Sequence, residues 1–299
     1  MRIHSSKGRF ATAFLLIGLV VLGLSASAQA KLTGEFTKFA NCEYKNTEVK
    51  KCIYSVTESG EVVLGSKKVP IEKPVILQGG YGKAVEGFSK FYGATNGVST
   101  LSKTPQNVPG GLAGLVNCKE IKEPFLRFSC ELTFENGITG LSSTLELAKP
   151  ASEIRISENH LAGEFDIALE MPVKVHLENP FLGSNCYVGS KSSPLLWKLT
   201  TGTTSPPAPN KPISGFAGNL EVLEEGAIAR LSANKLVDNA WSAPGATGCG
   251  GFLVELLLDP VVNAGAGLPA AAGKNTAILN NTITVGSAFA TRENDELNP

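Results

Sequence analysis

The 299 residues contain no C-x-x-C pair, no H-E-x-x-H, no Walker loop, no G-x-S-x-G elbow, no EF-hand loop and no dinucleotide fingerprint. The common zinc, calcium, nucleotide and α/β-hydrolase motifs are therefore missing, and neither a metal nor a cofactor is expected. Tryptophan and methionine occur twice each, and histidine three times. No run of lysine and arginine occurs, so nothing provides the clustered positive charge that phosphate binding needs, and nucleic acid is not an expected partner. Charged residues make up 18% of the chain, and no long amphipathic helix stands out beyond the leader.

What is present begins with that leader. Arg2, Lys7 and Arg9 precede an apolar run from Phe10 to Leu24, and "SASAQA" follows with Ala28 and Ala30 at small-residue positions. This pattern reads as a secretory signal over residues 1–30, cleaved after Ala30. The apolar run is short of the roughly 20 residues of a spanning helix, so no stable membrane span is expected after cleavage. No cysteine lies near the cleavage site to accept a lipid. The remaining 269 residues carry 24 basic and 27 acidic side chains, a net charge near −3. They read as a secreted β-rich domain over 31–290 and a polar C-terminal tail over 291–299, with a subdivision near 100–117 left open. The expected location is extracellular or cell-surface associated.

Export changes the meaning of the six cysteines, all of which follow the leader. An even count in an exported chain suggests disulfides, and six allow 15 pairings. Short loops favour Cys42–Cys52 and Cys118–Cys130, which leaves Cys186–Cys249. On the chain-entropy picture the short loops stabilise by about 3 kcal/mol each and the long one by about 4 kcal/mol.

The dominant hydrophobic period is two. "RFSCELTFE" places Phe128, Cys130, Leu132 and Phe134 on one face. "EFDIALEMPVKVHLE" keeps Phe165, Ile167, Leu169, Met171, Val173, Val175 and Leu177 on one side, with Pro172 marking a bend or an edge. "CIYSVTE", "LLWKLT", "NLEVLEE" and "TAILNNTITV" are further short strands. Turn signals separate them at "ESGE", "PGG", "ENGITG" and "APGATG". "GFLVELLLDP" is apolar on both faces and reads as a buried strand or a short helix ending at Pro260. The prolines of "TTGTTSPPAPNKPISG" mark a long surface loop. Many short strands in an exported chain predict an all-β fold, an antiparallel β-sandwich braced by disulfides.

Catalytic candidates are few. His176 alternates outward beside Lys174 and Glu178, and His160 falls at an expected turn. Asp259 precedes a proline where a turn is expected. No catalytic residue is assigned. Binding candidates are aromatic. Trp241 lies in an irregular stretch near Cys249, where it either stacks on a ligand or covers one end of the core. Tyr81 in "QGGYG" is a second candidate, and Tyr92 in "KFYG" a weaker one.

"FTKFANCEYKN", "VPIEKPVILQGGY", "TTGTTSPPAPNKPISG", "LVDNAWSAPGATGCGG" and "GLPAAAGKNTAILN" resemble a group of exported proteins of high-GC Gram-positive bacteria that has no established activity. The resemblance implies secretion and transfers no functional residue. The expected function is that of a noncatalytic exported β-protein that binds a cell-envelope component, a glycan or a protein. The alternative is a secreted hydrolase with a dispersed site. A lipid carrier is a third option, which an enclosed apolar cavity would support.

Overall fold

The computed structural model describes residues 32–97, 99–112, 122–130, 140–163, 166–251 and 255–298. Residues 1–31, which include the expected signal, lie outside them. Among the described residues no helix is long and apolar enough to cross a membrane.

Strands dominate. In chain order they are β1 (Lys51–Leu64), β2 (Lys67–Ile71), β3 (Val75–Val85), β4 (Phe88–Tyr92), β5 (Gln106–Asn107), β6 (Ser142–Leu147) and β7 (Arg155–Ile156). They continue with β8 (Ile167–Glu178), β9 (Tyr187–Val188), β10 (Leu195–Thr200), β11 (Asn219–Leu223), β12 (Ile228–Asp238), β13 (Ala246–Thr247) and β14 (Thr276–Ser287). The helices are α1 (Pro124–Cys130), α2 (Glu158–Leu161), α3 (Glu255–Ala266) and α4 (Ala288–Leu297).

The expected sandwich is instead a barrel. Eight antiparallel strands, β1-β3-β4-β7-β8-β10-β12-β14, pair in a ring, and the β14–β1 and β8–β10 pairings leave no open edge. Period-two sequence cannot distinguish the two architectures, because both bury alternate residues; the difference lies in which distant strands meet. The remaining strands lengthen the wall, with β2 on β1, β5–β6 and β9–β13 on β8, and β11 on β12.

The longest strands show how the wall is made. β1 runs 14 residues straight through "ESGE", where a turn was expected. Gly60 explains this. Its backbone lies so close to the Ile278 carbonyl that a Cβ would collide with it, and a register shift at Thr57/Ser59 absorbs the irregularity. The actual hairpin is at Gly65–Ser66, where Gly65 has φ +60°. β8 keeps the expected parity, with Leu169, Met171, Val173, Val175 and Leu177 all buried. Pro172 neither bends it nor marks a free edge. On one side β8 pairs with β7 up to Glu170 and with β6 from Val173, so the missing N–H falls where the neighbouring strand changes.

Two other expectations are corrected. "RFSCELTFE" is not a single strand, because Pro124–Cys130 is helical and exposes Phe125 and Phe128. The residues after Cys130 in that stretch, like most of "ENGITG", lie outside the described residues. α3 continues through Pro260 rather than ending there. Pro260 sits on its exposed side, while Leu258, Val262 and Ala266, spaced four apart, face the core. The polar C-terminal segment forms helix α4, capped where the Ser287 side chain accepts a hydrogen bond from the Ala290 N–H. It buries Thr291 and Asp295.

A second cluster of Leu32, Phe36, Phe39, Cys42, Val49, Cys52, Ile228 and Ala288 packs on the outer face of the wall, because Cys52, Ile228 and Gly286 have the opposite parity to the inward-facing Ile53 and Val285. Gly286 makes room for the Phe39 ring, which a Cβ there would strike. Fully burying a ring such as Phe39 stabilises by about 2 kcal/mol. Disulfides Cys42–Cys52 and Cys186–Cys249 are formed. The expected Cys118–Cys130 bond lies outside the described residues. The Pro-rich segment is a loop whose arms meet at Thr203 and Ser214. Its Asn210 side chain donates to the carbonyls of Asn239 and Asn275.

Candidate functional site: an apolar cavity in the barrel

Eight strands enclose an interior just wide enough either to fill with side chains or to hold one small ligand. Here filling is incomplete. A cavity of about 100 Å³, counted as room for water centres, runs through the barrel interior. One water needs about 10–15 Å³ on that measure, so this space takes several waters in a row or a slender chain. Twenty of the 27 lining residues are apolar, mostly leucine and valine, and none is phenylalanine. Water inside needs two to four polar partners, so walls of this kind favour an apolar occupant.

Alternation explains why these residues face inward. Leu169, Met171, Val175 and Leu177 of β8 line the space, as do Val69 and Ile71 of β2. On β1 the Thr57/Ser59 register shift moves the inward parity from Ser55 and Thr57 to Val62 and Leu64. Ala266 at the end of α3, together with Leu268, adds part of the wall. α3 is tethered by its own polar residues. Asp259 accepts the Cys249 and Gly248 N–H groups at 2.8 and 3.2 Å, and Asn263 exchanges hydrogen bonds with both backbone groups of Ala246. Asp259 is thus a helical anchor for the Cys186–Cys249 region and not a turn residue.

The polar lining is sparse and largely committed. Thr57 Oγ1 donates to Asn281 Oδ1 at 2.7 Å, and Asn281 Nδ2 donates to Asn234 Oδ1 and the Leu279 carbonyl. Gln106 bridges the break between β2 and β3. Its Oε1 accepts the N–H groups of Glu72 and Lys73, and its Nε2 donates to the Lys73 carbonyl. Trp197 is fully buried, and its Nε1–H meets no acceptor among the described residues. The lining residues that keep partial exposure are Val62, Lys67, Val69, Thr104 and Leu145, and they mark where the cavity reaches the surface. Lys67 is the one charged residue of the lining, and burial pushes its ammonium below the usual lysine range.

The aromatic binding candidates sit elsewhere. Tyr81 is 2% exposed in β3, with its hydroxyl 3.2 Å from Glu158 Oε2. Burial, reinforced by that carboxylate, raises its phenol well above the ordinary value. The neighbouring glycines supply close approach, not turns. A Cβ at Gly80 would press on Val49 and Cys42. Trp241 is 4% exposed and covers the core, tilted against Trp197 with ring centres 6.0 Å apart. Neither side chain offers a face for stacking at the surface. Tyr92 packs partly buried beside the second cluster on the outer face of the wall.

The histidines also lie apart from the cavity. His160 Nδ1 pairs with the Ile167 carbonyl at 2.8 Å. His176 stacks on Tyr187, its Nε2 meets the Ser184 carbonyl at 3.1 Å, and its Nδ1 lies 3.8 Å from Glu178. A base needs one ring nitrogen turned toward a hydroxyl or a water path. Among the described residues no side-chain hydroxyl pairs with either imidazole, and no cluster of three metal-ligating side chains occurs.

The sequence reading missed Lys67, Trp197 and Asn281 as lining residues. The signal was present in "KKVPI", where alternation puts Lys67 on the same side as Val69 and Ile71. It was present too in "LLWKLT", where Trp197 shares a face with Leu195 and Leu199. Comparison of the chain with protein-family models, curated proteins and solved structures returned no match.

Proposed function

We propose that this chain is a noncatalytic exported carrier that holds a single apolar molecule inside its barrel. The observation that carries the reading is the cavity itself, an apolar space with one partly exposed end in a ring of strands that has no open edge. Among the options open from the sequence, this favours the lipid carrier over a glycan binder, because the aromatics that would stack on a sugar are buried in the core. A hydrolase finds little support in histidines whose ring nitrogens face backbone carbonyls and a carboxylate. Two disulfides among the described residues support export.

Titration with the neutral dye N-phenyl-1-naphthylamine tests the reading. Saturable enhancement at one dye per chain, displaced by hexadecanol, is expected. Val175→Phe fills the interior at an overpacking cost of about 1–3 kcal/mol. Leu145→Trp plugs the exposed end with less strain. Both should abolish the enhancement while the far-ultraviolet circular dichroism stays unchanged. Absence of saturable binding to the unmodified chain overturns the proposal, as does full binding by both variants.

A further inference from the structure

We infer that the occupant carries a hydroxyl at one end of its chain, as a neutral long-chain alcohol does, and that this hydroxyl docks on Ser55, Thr57 and Asn281 at the inner end of the β1 wall. This rests on the carrier reading and adds the chemical class of the ligand.

The first observation is an unpartnered hydroxyl inside the barrel. Ser55 lines the cavity and is 7% exposed, on a strand paired on both sides, by β3 and by β14. It lies in the inward parity of β1, so the surface it keeps belongs to the cavity. Among the described residues its Oγ–H meets no acceptor and its lone pairs meet no donor. A buried hydroxyl without a partner loses its hydrogen bonds to water and gains none in return, unless whatever fills the cavity supplies them.

The second observation is what its neighbours still offer. Thr57, two residues on and on the same face, donates its O–H to Asn281 Oδ1 at 2.7 Å. Asn281 uses both Nδ2 hydrogens, on Asn234 Oδ1 and on the Leu279 carbonyl. Every donor of that pair is therefore engaged, while lone pairs remain on Thr57 Oγ1 and Asn281 Oδ1. Together with Ser55 the patch presents one free donor and several acceptors. A ligand hydroxyl matches it, because it accepts from Ser55 and donates to one of the other two. An ether, ketone or ester can only accept, and would turn lone pairs toward lone pairs. A carboxylate would bring negative charge to a group of acceptors, so a fatty acid enters methyl end first and keeps its head in water.

The third observation is position. The partly exposed lining lies at the hairpin end, with Val62, Lys67 and Val69. Ser55 is the lining residue of β1 farthest from that end. It is roughly 30 Å from Leu64 at the rise of a β-strand, and somewhat less across the bulge. Val75 and Leu77 of β3, which stand opposite Thr57 and Ser55, are apolar. A single neutral polar patch at the inner end of an aliphatic wall suits a chain with one polar terminus. Ser143 is a second free hydroxyl of the lining, but it has no such company. Its cross-strand neighbour is Gln106, whose amide is engaged by the backbone of Glu72 and Lys73.

Displacement of N-phenyl-1-naphthylamine from the full oxidised chain tests this, with dodecanol, its isomer methyl undecyl ether and tridecane as probes of equal length. Dodecanol should displace the dye about tenfold more effectively than the ether, as expected of one or two net hydrogen bonds. Ser55→Ala should bring alcohol and ether level, while tridecane still displaces the dye and so shows the barrel intact. Ser143→Ala should retain the alcohol preference. Equal displacement by alcohol and ether from the unmodified chain overturns the inference and leaves the carrier reading standing. A preference that survives Ser55→Ala, or that is lost with Ser143→Ala, also overturns it. Failure of all three probes to displace the dye falls on the carrier reading itself.

Discussion

Asn275 is a single side chain that ties the β1–β2 turn to the segments around Trp241 and Ala270. It is fully buried just before β14. Its Oδ1 accepts the Gly65 N–H at 2.9 Å, which holds the β1–β2 turn next to Lys67. Its Nδ2 donates to the Trp241 carbonyl at 2.9 Å, and at longer range to Ala270 and Ala271. Asn275→Ala removes the acceptor and the donor together. Each well-formed bond contributes about 1 kcal/mol net, and a buried partner left unpaired costs a further 1–3 kcal/mol, so the loss should be about 3 kcal/mol. In a chain of this length that is roughly 6–12 °C in Tm. Asn275→Asp separates the two roles. It keeps an acceptor for Gly65 but turns a carboxylate oxygen toward the Trp241 carbonyl in a fully buried site. It should therefore be the worse variant at neutral pH and recover as acid protonates the new carboxyl. Urea unfolding at pH 7 and pH 5, with m unchanged, measures both. A loss under about 1 kcal/mol for the alanine variant, smaller than one unpaired buried group costs, would refute the reasoning, as would an aspartate variant milder than alanine at pH 7.

Other expectations follow from the same contacts. Replacing Cys186 and Cys249 together by alanine should lower stability by about 4 kcal/mol, against about 3 kcal/mol for Cys42 and Cys52, because the longer loop restricts the unfolded chain more. Equal losses in thermal unfolding would contradict that ordering. At Glu146, burial pushes the carboxyl upward, but Lys103 and Lys174, each 3.2 Å away, outweigh it and hold the group below 4.5. The depressed value means its contribution is complete above pH 4.5 and fades as pH falls through the folded-state value. Glu146→Gln should therefore cost about 1 kcal/mol at pH 7 and progressively nothing in acid, as read from unfolding midpoints across pH.

Local pattern and long-range pairing differ in how far they can be read from this chain. The inward parity of β8 was legible from Leu169 to Leu177, because alternation is a property of neighbouring residues. Cys42–Cys52 was legible from its short loop, and Cys186–Cys249 by elimination. Barrel closure was not, because it depends on β8 meeting β10 and β14 meeting β1, the latter joining strands more than 200 residues apart in the chain. Gly60 looked like a turn because a glycine needed for close approach to Ile278 has the same letter as one needed for a bend. Tyr81 looked like a surface anchor because glycine-rich surroundings suggested a loop, and for Trp241 the core-covering alternative is the one that holds. The glycines instead let backbones approach closely over buried rings. The cavity was the least legible feature, since an empty space is set by what twenty-seven side chains from many elements fail to fill.

The central claim is that the barrel holds an apolar chain, and the two tryptophans report on it directly. Trp197 lines the cavity, Trp241 lies against it, and the sequence has no other tryptophan. A palmitate analogue carrying a nitroxide on its chain should quench tryptophan emission saturably at one molecule per chain, and unlabelled palmitate should restore it. Emission unchanged while the labelled chain is bound would put the ligand outside the barrel and contradict the account.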